Sequence, residues 1–272
     1  MHRIKKTLHK SVFFFVCSTV LLLFLPPKAG FAEYADSISH VCEPPAQKIT
    51  GKVERIVDGD TLKLADGKKL RLIGINASEL ARQGKPAEPL AVDARARLAK
   101  LVPPGSDIIW SKGTEPQDRY GRWLAYLFLP NGASVQRTLV QEGLAVRILV
   151  PPNTAMDACF LQAEQQARKF SKGLWQLRQY QAVEVRSAGT LKEGLHFFSG
   201  KLRFDKETQK SIWLTLGDDL KLRIPKDNLQ YFPGRNWQQY LDKKIIVRGW
   251  VKRQGNRVQM TLAHPGMLEV LH

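Results

Sequence analysis

The chain has 272 residues, 43% of them hydrophobic, with 42 Lys and Arg against 25 Asp and Glu. It is long enough for one large or two small domains and too polar for an integral membrane protein. A net charge of +17 fits a polyanionic partner, drawn in by electrostatic steering, far better than a basic one.

Residues 1–10 are basic, Ser11 to Leu25 is apolar, Pro26-Pro27 breaks the run, and Gly30-Phe31-Ala32 supplies small residues. Residues 1–32 therefore read as a secretory signal peptide rather than a membrane span, and the protein as exported, periplasmic or secreted. Removing them leaves 37 bases against 25 acids and two cysteines, Cys42 and Cys159. In an oxidising compartment these two form a disulfide or stay as separate thiols, and the sequence leaves both open.

Residues 33–49 are polar and Pro-containing and read as an N-terminal arm. Lys52 to Val57, Thr61 to Leu64 and Lys68 to Ile75 are strand-like, the last two joined by Asp66-Gly67. A two-residue turn there sets Leu62 opposite Arg71 and Asp60 opposite Ile73. Asp58, Asp60 and Arg71 would then share a face with Leu62, Leu64, Ile73 and Ile75. Charges on an apolar face are costly unless they pair or bind something, so this face is a candidate site.

Leu90, Ala94, Leu98 and Leu101 recur at helical spacing within Glu88 to Val102, before Pro103-Pro104-Gly105. Ile108 to Ser111 and Leu124 to Leu129 read as strands, with Asn131-Gly132 as a turn. Val135 to Gly143 and Met156 to Lys172 read as helices. This density of strands, turns and short helices predicts a small closed barrel decorated by helices, over residues 50–178.

A linker, residues 179–195, precedes a second unit, residues 196–272. Ser211 to Leu216 and Leu220 to Ile224 alternate cleanly, Trp237 to Leu241 is a helical turn, and Lys244 to Val251 and Arg257 to Leu262 flank Gly255-Asn256. Two hairpins split by a short helix fit a smaller OB-like barrel. Its aromatics, Trp213, Trp250, Phe197 and Phe198 among Lys and Arg, either fill the core or stack on a single strand.

Three motifs carry chemistry: Val57-Asp58-Gly59-Asp60-Thr61, Arg71-Leu72-Ile73 through Glu79, and Asp118-Arg119-Tyr120-Gly121-Arg122. With Gly143-Leu144-Ala145, Ala163-Glu164 and Gly173-Leu174-Trp175, in this order and spacing, the first domain resembles the staphylococcal-nuclease-like (thermonuclease) family. The resemblance covers roughly half the chain. It implies an OB-fold five-stranded barrel with helices, mainly β with α, and a calcium-dependent endonuclease that cuts DNA and RNA at the 5′ side of a phosphodiester.

Carried over residue by residue, Asp60 matches a metal-binding carboxylate, Arg71 and Arg122 the phosphate-gripping arginines, and Glu79 the general base. Asn76 stands where active members have a second metal-binding Asp, and Ala77 where they use a backbone carbonyl. Arg119 and Tyr120 are candidate substrate contacts, although Tyr120 fits a barrel core nearly as well. The donor types suit a hard cation, and guanidinium suits phosphate. The charge lost at Asn76 implies weaker calcium binding or a different divalent preference. It also leaves room for a non-catalytic nucleic-acid binder of the same fold. Ile148-Leu149-Val150-Pro151 replaces the family's base-contacting tyrosines. Asn76-Ala77-Ser78 is also a glycosylation sequon; a glycan there would block the cleft, which favours a bacterial source. A monomer acting on nucleic acid is the expectation.

Overall fold

The computed structural model describes residues 42–43, 47–82, 84–185, 193–218, 220–254 and 257–271. The expected signal peptide and most of the expected arm lie outside the described residues, as does the turn expected at Gly255-Asn256.

Five strands close the first barrel: β1 (Ile49–Asp58), β2 (Thr61–Leu64), β3 (Lys69–Leu72), β5 (Asp107–Gln117) and β6 (Trp123–Phe128). Their order is β1-β2-β3-β6-β5, with β3 and β6 parallel and the other pairings antiparallel. Between β3 and β5 lie the short strand β4 (Ile75–Ala77) and helix α1 (Ala91–Leu101). After β6 come α2 (Val135–Gln141), β7 (Ala145–Arg147), which pairs with β4, and α3 (Asp157–Lys169). Leu62, Leu64, Leu70, Leu72, Ile108 and Trp110 point inward and are almost fully buried. Buried Gln136 on α2 serves the barrel backbone: its Oε1 accepts from Leu127 N at 3.0 Å, and its Nε2 donates to Ala125 O at 3.0 Å.

The β2–β3 register corrects the sequence reading by one residue. Thr61 faces Arg71 and Leu62 faces Leu70, because the loop is three residues long, Ala65-Asp66-Gly67, with Gly67 at φ +88°. A one-residue slip moves every side chain to the other face. Leu62, Leu64, Leu70 and Leu72 therefore fill the core, while Arg71 stands on the outer face with Thr61 rather than beside Leu62.

The second unit repeats the topology. Its strands are β9 (Gly194–Glu207), β10 (Ser211–Leu216), β11 (Leu220–Pro225), β12 (Lys244–Gln254) and β13 (Arg257–Thr261). They run β12-β13-β11-β10-β9, and the β12–β9 pairing closes the ring. As in the first barrel, the third and fifth strands, β11 and β13, are parallel. Short 3-10 segments, Lys226–Tyr231 and Pro233–Tyr240, replace the helix between third and fourth strands. The strand β8 (Val183–Glu184) and the strand β14 (Leu268–Val270) add to this sheet. Phe198 lies in the second core and Phe197 in the interface cluster with Trp175, while Trp250 is 38% exposed and Trp213 half-buried. Among the described residues, no helix is long and apolar enough to cross a membrane.

Buried charge joins the two barrels. Glu164 on α3 takes both Arg248 nitrogens, Nη1 at 2.8 Å and Nη2 at 2.6 Å, together with the Arg147 amide at 2.9 Å. Arg248 Nη1 also reaches Arg147 O at 3.3 Å, and Arg147 Nη2 donates to Gly266 O at 3.0 Å. Arg168 bridges Glu164 and Glu269 at 3.2 and 2.9 Å. Burial pushes the Glu164 carboxyl up, but the charges of Arg248, Arg168 and Arg147 outweigh it and hold it below the ordinary value. Finally, Cys42 and Cys159 form a disulfide across 117 residues, which ties the arm to α3.

Candidate active site

The Asp58-Gly59-Asp60 corner joins β1 to β2, and its shape demands glycine. A Cβ on Gly59 would lie 2.7 Å from the Cβ atoms of Ala77 and Ala94. The corner, β4 and α1 are thus packed against one another with no spare methyl between them. This contact fixes Asp60 beside β4. Its Oδ2 accepts from the Ala77 amide at 2.9 Å and pairs with Arg71 Nη1 at 2.6 Å, while Oδ1 accepts from Thr61 Oγ1 at 3.1 Å.

Arg71 is therefore held from three sides. Besides Asp60, it donates to Leu72 O at 3.2 Å and, through Nη2, to Asn76 Oδ1 at 3.3 Å. Asp58 is equally buried and pairs with Arg82 Nη2 at 3.1 Å. Glu79 follows β4 on an open loop, anchored by its amide to Glu88 Oε2 at 2.9 Å. Partial burial, then the charge of Asp58 and a hydrogen bond shared with it, then the charge of Asp60, hold its carboxyl above the ordinary value; Arg82 opposes them. Three carboxylates are crowded at one corner.

Arg122 is positioned by a tight loop. Gly121 sits at φ +74°, and the Asp118 carboxylate accepts from the amides of Tyr120 and Arg122 at 2.9 and 3.0 Å. Its second oxygen takes Arg122 Nε at 2.7 Å. Burial pushes Asp118 up, but these bonds from Arg122 and Tyr120 outweigh it and leave it below the usual carboxylate value. Tyr120 is 68% exposed, so it is no barrel-core residue; the guanidinium of Arg119 lies 4.8 Å from its ring centre.

Arg71 and Arg122 line one cleft of about 360 Å³, together with Arg119 and Tyr120. Ile148 and Val150 also line it, so the missing tyrosines leave apolar side chains there. Leu149, between them, points into the core of the second barrel, which therefore backs these residues. Neither Asp60 nor Glu79 is among the residues lining this cleft: Asp60 is tied to it through Arg71, and Glu79 stands beside Asp58 and Asp60.

The donors at this corner are all oxygens: the carboxylates of Asp58, Asp60 and Glu79 and the amide of Asn76. Among the described residues, no three His, Cys, Asp or Glu side chains form a ready metal cluster. A hard cation would draw on Asp60 and Asn76, on backbone carbonyls such as that of Ala77, and on the substrate itself. The crowding that raises Glu79 is the feature such a cation would relieve. The residues present fit it.

The model of the family described as staphylococcal nuclease homologue matches residues 69–177. Over 133 residues the chain is 33% identical to the thermonuclease of Staphylococcus hyicus, covering 48% of this chain and 78% of that protein. The chain belongs to the staphylococcal nuclease family. It is also 36% identical over 128 residues to the endonuclease YncB of Bacillus subtilis (strain 168), covering 45% of this chain and 60% of YncB. The SPbeta prophage-derived endonuclease YokF of the same organism is 35% identical over 133 residues, 47% of this chain and 44% of its own. The chain thus spans roughly half the length of these two Bacillus relatives.

Of the residues the family motifs marked, Arg71 and Arg122 line the cleft, Asp60 is paired with Arg71, and Glu79 stands outside the cleft lining beside Asp58 and Asp60. The motifs assigned no role to Asp118, which holds Arg122, or to Asp58, whose neighbour is Glu79. The spacing in Asp118-Arg119-Tyr120-Gly121-Arg122 carried a signal for the former, since an Asp before a glycine turn captures the amides two and four residues on.

Proposed function

We propose that this protein is an exported nuclease that hydrolyses phosphodiester bonds of DNA or RNA, assisted by a divalent cation for which calcium is the best fit. One observation carries the reading: the two arginines, 51 residues apart in sequence, line the same cleft, and one of them is paired with the Asp60 carboxylate.

Arg71 and Arg122 bind the non-bridging phosphate oxygens, each guanidinium offering two parallel hydrogen bonds. They stabilise the extra charge as phosphorus becomes five-coordinate. Glu79, with its raised carboxyl, accepts the proton of the attacking water as the water oxygen bonds to phosphorus. The leaving oxygen departs with its bond electrons and takes a proton from solvent. Asp60, Asn76 and the Ala77 carbonyl would hold the cation, whose charge lowers the pKa of water and offsets that of the phosphate. Asp118 keeps Arg122 aimed. The cystine supports an oxidising compartment, in keeping with export.

The test is degradation of plasmid and single-stranded DNA and of RNA by the mature protein, titrated with calcium, magnesium and manganese against a chelator control. Divalent-dependent cleavage upholds the reading; salt-sensitive binding without cleavage at any divalent concentration replaces it with a non-catalytic binder.

A further inference from the structure

The second barrel contributes nothing to the reaction just described beyond the wall behind Ile148 and Val150. Its outer face nevertheless has a pattern of its own. On β10 and β11, Ile212, Leu214, Leu216, Leu220, Leu222 and Ile224 point inward and are fully buried. The alternate positions point outward: Ser211, Trp213 and Thr215 on β10, Lys221, Arg223 and Pro225 on β11. On β13, Gln259 and Thr261 continue the same rows, because Lys221 pairs with Gln259 and Arg223 with Thr261. No outward position among the described residues of these three strands is acidic.

The neighbouring strands extend this face with more positive charge. Arg203 of β9 lies opposite Thr215, and Lys252 of β12 opposite Gln259. A bulge in β9 then matters. Leu214 faces Phe204 but Trp213 faces Lys206, so Asp205 is the extra residue. The bulge sets Lys206, not Asp205, beside Trp213, and sends Asp205 to Lys221 at 2.9 Å. Half-buried Trp213 is thus flanked across the sheet by Lys206 on one side and Arg223 on the other. Arg223 Nε is steadied by Ser211 Oγ at 2.8 Å. Among the described residues, no carboxylate lies within ion-pair distance of Arg203, Lys206, Arg223 or Lys252.

The two barrels also agree in where they place arginine. In the first, Arg71 stands on the third strand between Thr61 of the second and Leu124 of the parallel fifth. In the second, Arg223 stands on the third strand between Trp213 of the second and Thr261 of the parallel fifth. The first junction has carboxylates around it; the second has an aromatic ring and cations.

From this we infer that the outer face of β10, β11 and β13 is a track for a single nucleic-acid strand. Trp213 is the platform for a base, and Lys206 and Arg223 are the phosphate contacts on either side. The inference rests on the proposal that nucleic acid is the substrate. Stacking on an aromatic face is tolerant of sequence, and flanking cations follow the backbone, so the track would hold a strand without choosing its bases. With no carboxylate at the junction, it binds and does not cut.

The experiment uses the mature chain carrying Arg122→Ala, in chelator, and a fluorescent oligothymidylate of ~20 nucleotides, longer than one OB-type site. Trp213→Ala should weaken binding about tenfold and Trp213→Phe should leave it nearly unchanged. The double variant Lys206→Ala/Arg223→Ala should weaken it and lower the slope of log affinity against log salt by about 1.4. Melting temperature, and hydrolysis of a thymidine dinucleotide when the same substitutions are made with Arg122 intact and a divalent cation present, should stay the same. Oligonucleotide affinity and salt slope unchanged in folded variants would overturn the track, as would equal competition by polyglutamate. Failure of the unmodified protein to cut the dinucleotide would instead overturn the nuclease reading and leave the binding result standing on its own.

Discussion

The Arg71 guanidinium sits 2.6 Å from the Asp60 carboxylate and ties the same group to Asn76 Oδ1 at 3.3 Å. A residue expected to grip phosphate thus also holds two residues expected to hold a cation, so a cation bound as proposed would share Asp60 with Arg71. With Asn at position 76, the groups offered to that cation would carry one negative charge fewer than an Asp there would give. Asn76→Asp should therefore tighten calcium by about tenfold or more, given the size of a nearby unit charge at intermediate dielectric. Calorimetric titration measures this, and an unchanged affinity would place residue 76 outside the metal's reach.

Asp118 has no place in the chemistry but fixes the geometry of Arg122. Asp118→Asn keeps an oxygen for the two amide bonds of the loop but sets an NH2 donor where Oδ2 accepted from Arg122 Nε, so that charge-assisted bond is lost. Hydrolysis should fall roughly 10- to 100-fold, mainly in kcat, because a loosened guanidinium loses more in the transition state than in the bound substrate. A fall confined to KM would contradict this role.

The inter-barrel charge network makes the protein less stable as pH falls through the carboxylate range. Glu164 has a folded-state pKa below its ordinary value of 4.5, so its contribution is fully present above that value. It is lost as pH falls from there through the depressed folded value. Glu164→Gln should cost about 3–5 kcal/mol at neutral pH, because Arg248 is left buried without its partner. The gap between variant and parent should narrow as the pH drops below about 4, the ordinary carboxylate range. Thermal melts across that range measure it; a gap independent of pH would show that the carboxylate is not charged in the folded protein.

Opening the cystine should lower stability without touching the cleft. In the chain-entropy picture, a loop closed across 117 residues contributes about 4–5 kcal/mol. The double variant Cys42→Ser/Cys159→Ser should melt many degrees lower yet cleave at near-parental rate at low temperature. Loss of activity in the folded variant would mean that the arm reaches the site.

Much of this was legible in the sequence, for identifiable reasons. Ser211 to Leu216 and Leu220 to Ile224 alternate strictly around a turn, and the structure has strands at these places. The long strand β9 was not legible: Phe197 and Phe198 are both buried, one against the first barrel and one in the second core, so period two is hidden, and the bulge at Asp205 breaks it again. The β2–β3 register failed because Asp66-Gly67 suits both two- and three-residue loops. The joint between the barrels left no local trace, since Arg147, Glu164 and Arg248 meet only through the fold. The candidate site residues stood out because short motifs carry them, and Asp58 stood out as a charge on the same face, whereas the hold of Asp118 on Arg122 depends on the loop's folded shape.

The central claim is that Arg122 and Arg71 act together on one phosphate. The most direct measurement is divalent-dependent hydrolysis of single-stranded DNA by Arg122→Ala beside the unmodified protein, with circular dichroism and melting to confirm an intact fold. The account expects the variant to fold normally and to lose activity by at least about a thousandfold, the scale of one transition-state charge contact. Activity within a few-fold of the unmodified protein would contradict it.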